Sequence, residues 1–290
     1  MSPTAVLYVS QAIHGLAYGM LLFLVSSGLT MIFGMMGILN LAHASFAMLA
    51  AYFGFQALLW INNFWVALVA APVVAGIVGV VTERYLLRPL HKQGHLAELL
   101  VTLGIMLVIL ELVKVLWGTE SLVVKVPPSL DGLISFAGMT YPIYRIFVII
   151  LSAIVLGFMV LILFKTRLGK IVRASVADAD MVNALGINTP LVFMVVFGIG
   201  TWLAGIAGVV AGPLLTVFPG MADQLGMDAF VVVVVGGFGS LGGAFLVSLI
   251  LGELNAYGIQ FIPRLAPVLM FAFMAIVLAI KPLGLFGERE

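Results

Sequence analysis

The stretch GLTMIFGMMGILNLAHASFAMLAAY, Gly28 to Tyr52, decides how this chain is read. An apolar run enters a glycine pair, Gly34 and Gly37. Three small polar residues follow, Asn40, His43 and Ser45, and a second apolar run closes the stretch. It contains no acid and no base, and residues 1 to 82 contain none either. A soluble domain is about a quarter charged. A chain with 63% hydrophobic residues, 9% charged residues and a mean hydropathy of +1.27 has too much apolar surface to hide in water. Its solvent is lipid.

Working outward, apolar segments fall at about 11–34, 37–59, 65–87, 97–117, 143–165, 190–217, 227–241, 242–262 and 265–281. Lipid offers backbone groups no partner, so these segments are expected to be helices. About 20 residues cross a hydrocarbon core of about 30 Å, which gives room for about eight to ten spanning or re-entrant helices. The expectation is an all-α polytopic membrane protein forming a single transmembrane domain over 1–290. The segment 227–241 is short for a crossing, and the boundary at 34–37 is only a glycine pair. The N-terminal MSPTAVLY has no basic region and no small-residue cleavage site, so no cleaved signal peptide is expected. There is no cysteine, hence no disulfide or thiolate chemistry.

The Lys/Arg bias sets the orientation. Arg84, Arg88 and Lys92 follow the third segment, Lys165 to Arg173 follow the fifth, and Lys281 and Arg289 end the chain. These regions read as cytoplasmic. The loop at 118–142, with one lysine and two acids, reads as external, and no charge marks the side of the N-terminus.

A second interrupted segment, DAFVVVVVGGFGSLGGAFLVSLILGE from Asp228 to Glu253, mirrors the first late in the chain. Its break holds Gly236, Gly237, Gly239, Ser240, Gly242 and Gly243. Paired glycine-interrupted segments point to a midplane site between structural repeats, so two pseudo-symmetric halves are expected. The substrate pathway is then expected at Gly34, Gly37, Asn40, His43, Ser45, Gly236, Gly237, Gly239 and Ser240. Close helix packing is the competing role for the glycines, and it is the one expected of Gly205 and Gly208. The second break is no phosphate loop, because no lysine follows in the required spacing. Glu111 and Lys114 are expected to pair on one helix near its outer end. Asp228 reads as a helix start, where an acid suits the dipole. Glu253 is the more unusual acid, near the end of a span.

Between these regions lies a polar island, RLGKIVRASVADADMVNALGIN, Arg167 to Asn188. On a single helix, Ile171, Ala174, Met181, Val182 and Leu185 share a side while Arg173, Asp180 and Asn183 point away. Asp178 would fall inside the apolar stripe. Two short helices resolve this, with Asp178 starting the second and Ser175 as another possible cap. Gly186 reads as a stop, and Asn188 or Thr189 with Pro190 begins the next span. Short helices with defined stops suit a protein partner better than a lipid surface.

These residues together resemble a family. Gly28, Phe33, Gly34, Gly37, Asn40, Ala42 and His43 are similar to the N-terminal signature of the permease subunits of branched-chain amino acid ABC importers, the LivH-like type. ERYLLRPL (Glu83 to Leu90) resembles the family's Glu-Arg…Arg-Pro element. Gly169, Arg173, Ala174, Asp178, Met181, Leu185, Gly186 and Ile187 resemble its cytoplasmic loop, and GGFGSLGGA with LILGE resembles its C-terminal half. Ala44 stands where the family often has glycine and Ser45 where glutamate is frequent, which bears on solute preference. Val176 and Val182 replace alanines usual in the loop.

The resemblance implies a subunit in a bacterial inner membrane. It would pair with a second homologous permease, two ATP-binding cassette subunits that carry ATP and Mg, and a periplasmic solute-binding protein. It also implies coupling to the ATPase through the cytoplasmic segment 165–190, at Arg167, Gly169, Arg173, Ala174, Asp178, Met181, Leu185 and Gly186. No cofactor is expected in this chain, and no metal or nucleic-acid partner. The chain has no phosphate-loop lysine of its own, so it is not expected to be an enzyme. The other reading is a stand-alone channel or secondary carrier for a small neutral solute such as an amide or urea. An intramembrane enzyme fits poorly, since four histidines and no clustered mid-span acids leave no catalytic set.

Overall fold

The computed structural model describes residues 2–37, 39–91, 93–136 and 139–287. Lys92 and Arg289, used above for orientation, lie outside the described residues, as does the side chain of Asp180.

The chain is helical almost throughout, and eight helices are long and apolar enough to cross a membrane. In chain order the helices are α1 (Pro3–Met36), α2 (His43–Ile61), α3 (Phe64–Thr82), α4 (His95–Trp117), α5 (Ile143–Lys165), α6 (Arg167–Ala177), α7 (Ala179–Ala184), α8 (Thr189–Leu215), α9 (Met221–Gly236), α10 (Leu241–Phe261) and α11 (Ala266–Ile280). The three not counted among the spans are α6, α7 and α9. The end of α3 runs on through a π-helical turn, Glu83–Leu87, and a short 3-10 turn, Arg88–Leu90. In the outer loop a small antiparallel pair forms, β1 (Leu133–Phe136) with β2 (Met139–Pro142). The all-helical expectation missed it, because each strand is only four residues long.

Packing follows small residues, since helices in lipid gain little from hydrophobicity and must approach closely to gain dispersion. α1 and α10 run antiparallel along a seam where a Cβ at Gly19 would lie 2.7 Å from the Ser248 carbonyl oxygen. A Cβ at Gly205 on α8 would lie 2.7 Å from Pro72 Cα on α3. One at Gly208 would collide with the Ala47 carbonyl on α2. These two glycines therefore have the packing role expected of them.

The N-terminus of α1 shares an end with the outer loop, where Tyr141 and Arg145 both reach His14, at 3.3 and 2.6 Å. The C-terminus of α1 lies at the opposite end, which carries α6 and the basic residues after α3 and α5. α8 ends beside the 118–142 loop and α10 begins at the other end of the bundle, so α9 and its leading residues connect the two ends. At 16 residues α9 is only about 24 Å long. Its start differs from the expected one. Asp228 lies within α9, not at its start, and accepts a 2.7 Å hydrogen bond from Tyr18 Oη. Asp223 is the acid in its first turn. Glu111 and Lys114 pair as expected, at 2.7 Å.

The island forms two helices divided at Asp178, whose carboxylate accepts from the Met181 amide at 2.8 Å. The stop falls at Gly186 (φ +84), and Asn188 caps α8 through the Leu191 amide at 3.1 Å. Two details differ from the single-helix reading. Ser175 is buried inside α6 and caps nothing. Ala174, Met181 and Leu185 are exposed, while Val172 and Val182 face the bundle. The division at Asp178 rotates α7 against α6 and breaks the shared stripe.

Candidate functional site

The first break is built by the end of α1 and the start of α2. Gly37 takes φ +64, closed by its amide on the Phe33 carbonyl at 2.8 Å; a residue with a Cβ is strained there. The chain then turns back into the bundle. His43 Nε2 donates to the Val25 carbonyl at 3.0 Å. Val25 lies about 16 Å up α1 from Met36 at 1.5 Å per residue. α2 therefore begins well inside the protein. Gly28 makes room for this, since a Cβ there would lie 2.9 Å from His43 Cε1.

Asn40 and His43 are 3% and 1% exposed. Asn40 Oδ1 accepts from the Ala42 amide at 3.1 Å, which fixes the side-chain amide and leaves Nδ2 as an unused donor. A carbonyl can only accept, so His43 carries its proton on Nε2 and presents Nδ1 as an unused acceptor. Ser45 Oγ and Thr30 Oγ1 are also buried without a partner among the described residues. Most buried polar groups in folded proteins are paired, so three orphans at one break, on Asn40, His43 and Ser45, mark it as unusual. No described side chain caps α2.

Asn40 and His43 line a cavity of about 520 Å³ whose other walls are Leu29, Leu41, Ala44 and Met106, with Ala222, Asp223, Met227 and Phe230 from α9. That volume falls in the roughly 300–1,000 Å³ range of small-molecule sites. Sequence reading named Asn40 and His43 and missed Asp223, because α9 begins in a polar stretch ahead of its apolar run.

The second break lies elsewhere, at the end of the bundle that carries α6. Gly237 and Gly239 take φ +96 and +78. A Cβ at Gly34 would lie 2.7 Å from Gly239 Cα, and Phe33 stacks on Phe238 with ring centroids 4.2 Å apart. Gly236 abuts Gly243, and its carbonyl accepts from the Phe286 amide at 3.2 Å. Gly34, Gly239 and Ser240 line a second cavity of about 550 Å³, which Thr30, Val172 and Arg173 also border. Gly236 and Gly237 line neither cavity. The two glycine breaks therefore touch at Gly34 and Gly239, but only the first reaches the cavity with Asn40 and His43.

Arg173 is folded back. Its guanidinium donates to the Leu163 carbonyl and lies 5.4 Å from the Phe164 ring centre. Gly169 is buried where a Cβ would collide with the carbonyls of Ile162 and Leu163. Arg167, Lys170, Asp178, Met181, Leu185 and Gly186 face outward, Met181 at 58% and Leu185 at 73% exposure.

A further cluster escaped sequence reading. His91 lies between two buried glutamates, Nδ1 2.7 Å from Glu98 Oε1 and Nε2 3.5 Å from Glu83 Oε1. The nearby Glu83 carboxylate raises the His91 pKa above its ordinary 6.5; burial opposes this and the Glu98 carboxylate adds to it. Among the described residues no group of three or more His, Cys, Asp or Glu is placed to hold a metal.

The sequence matches, over residues 11–278, the family described as branched-chain amino acid transport system, permease component. It is 29% identical to the high-affinity branched-chain amino acid transport system permease protein BraD of Pseudomonas aeruginosa, over 98% of this chain and 97% of that one. It is 29% identical to the LivH permease protein of Salmonella typhimurium, over 100% and 99%. A probable branched-chain amino acid transport permease protein LivH of Methanocaldococcus jannaschii is 27% identical over 93% and 90%. No solved structure matches the chain. With the family pattern running through every span from α1 to α11, this multi-pass membrane protein belongs to the permease component family of branched-chain amino acid transport systems.

Proposed function

We propose that the chain is the transmembrane subunit of an ATP-driven importer for branched-chain or other hydrophobic amino acids in a bacterial inner membrane. The solute passes the first glycine break. A second permease completes the pathway, a periplasmic binding protein delivers the solute, and two ATPase subunits grip α6 and α7. ATP and Mg stay on those subunits, since this chain has no phosphate-loop lysine.

The observation that carries this reading is the two-sidedness of the island. Its inner face, with Val172, Val182 and Gly169, packs on the bundle, and Val172 and Arg173 border the cavity beside Gly34. Its outer face offers Met181 and Leu185 to water, flanked by charges. Apolar side chains held out on tightly capped helices suit a protein groove. Motion of that groove would reach α1 near Gly34 through rigid packing. The names carried by BraD and LivH support the solute class.

The test is co-reconstitution with the ATPase subunits. Met181→Asp with Leu185→Asp keeps the chain folded, because both residues are exposed, and abolishes ATPase binding and ATP-driven uptake. Wild-type uptake by that double variant overturns the docking. Solute flux through the chain alone, without ATPase, overturns the importer reading in favour of a channel or carrier.

A further inference from the structure

The cavity at the first break brings together more than a path needs. On one wall it has donors. Asn40 Nδ2 is unused and its residue is 97% buried, as the 3% exposure of Asn40 requires. Beside it the first turn of α2 has no side-chain cap, which leaves the Ala44 and Ser45 amides as the free donors of that turn. A helix start inside a membrane protein carries partial positive charge and suits an anionic group. On another wall the first turn of α9 brings Asp223, a solvent-exposed residue, and His43 adds the unused acceptor Nδ1. Among the described residues Asp223 is the single charged one lining the cavity. Asp228, one turn and a half further along α9, is already committed to Tyr18. The remaining wall is apolar, with Leu29, Met106 and Phe230.

We infer that this cavity binds a zwitterionic amino acid in this subunit: carboxylate on the α2 N-terminus and the Asn40 amide, ammonium on Asp223, apolar side chain against Leu29, Met106 and Phe230. The inference rests on the import reading for its solute and deepens it, since it makes the permease a selective site and not only a conduit. The donor set alone would favour a plain anion, and Asp223 alone a plain amine. Moving a charge out of water is costly unless it is met by a partner. Only a ligand with both charges satisfies both walls. A neutral amide or urea satisfies neither fully.

The test uses the full chain in lipid nanodiscs and calorimetry with three probes: leucine, isocaproate (carboxylate only) and isoamylamine (ammonium only). Wild type binds leucine more tightly than either fragment. Asp223→Asn weakens leucine and isoamylamine about tenfold or more, the consequence of losing one charge-assisted contact, and leaves isocaproate unchanged or tighter. Asn40→Leu weakens leucine and isocaproate and spares isoamylamine. Asp223→Glu keeps leucine binding, which separates the charge from the fold. The inference is overturned if wild type ignores leucine at millimolar concentration, binds all three probes equally, or loses all three equally on Asp223→Asn. Uptake with and without ATPase is read separately. Leucine binding with ATP-independent flux leaves the site standing and removes the importer. ATP-driven uptake with no leucine binding to this chain removes the site and leaves the importer.

Discussion

The two glycine breaks look alike in sequence and differ in what surrounds them. The first, from Gly34 to His43, opens into a cavity and leaves Asn40 Nδ2, His43 Nδ1 and Ser45 Oγ unpaired. The second, from Gly236 to Gly243, packs backbone against backbone along one side, while Gly239, Ser240 and Gly242 border a cavity of their own. Gly236 sits on Gly243, Gly239 on Gly34, and the Leu285 and Phe286 amides donate to the Val235 and Gly236 carbonyls, Leu285 at 2.8 Å. Glycine serves two ends here. In one break it frees a helix start inside the protein. In the other it removes side chains so that backbones meet. At the first break the side chains of Asn40 and His43 keep unpaired polar atoms, whereas at the second the Ser240 hydroxyl accepts from the Gly243 amide at 3.1 Å.

The largest effect expected from this contrast is on the second break. Gly243→Val places atoms against the Gly236 carbonyl, and overpacking of this kind costs about 1–3 kcal/mol. Thermal melting in detergent should fall and less protein should insert, while uptake per folded molecule is retained. Asn40→Leu should behave the opposite way. It gives up the Ala42 amide contact, about 1 kcal/mol, and relieves an unpaired donor, so stability changes little while leucine uptake per folded molecule falls about tenfold. Next comes the island. Asp178→Ala removes the cap of α7 and costs about 1 kcal/mol locally, read as faster amide exchange in 179–184 with the spans unchanged.

The smallest effect tests the cluster of His91 with Glu83 and Glu98. The Glu83 and Glu98 carboxylates raise the His91 pKa in the folded protein. Its contribution is therefore fully present below the ordinary histidine value of 6.5 and is lost as pH rises through the raised value. Melting temperature should drop across that window in wild type, and His91→Gln should flatten this part of the profile. An unaltered profile would show that the cluster does not bind the extra proton.

Much of the architecture was legible because lipid forces apolar runs into helices. Each of the nine apolar segments lies on a helix, and the island divided at Asp178 as its misplaced charge required. What stayed hidden depends on contacts between distant positions. Tyr18 and Asp228 meet across 210 positions, so nothing local moves Asp228 from the start of α9 to its interior. Glu83, His91 and Glu98 come from a π-helical turn, a loop and α4, and share no period. At the site, Asn40 and His43 stood out as polar residues in an apolar run. Asp223 did not, because it sits among ordinary polar neighbours and gains meaning only from the cavity it faces.

The contrast between the breaks is tested most directly by radiolabelled leucine uptake in proteoliposomes holding the assembled transporter, normalised to folded protein, for Asn40→Leu and Gly243→Ala side by side. Uptake per folded molecule should be lost in Asn40→Leu and kept in Gly243→Ala, which instead yields less folded protein. Normal uptake by Asn40→Leu, with uptake lost in well-folded Gly243→Ala, would contradict the account.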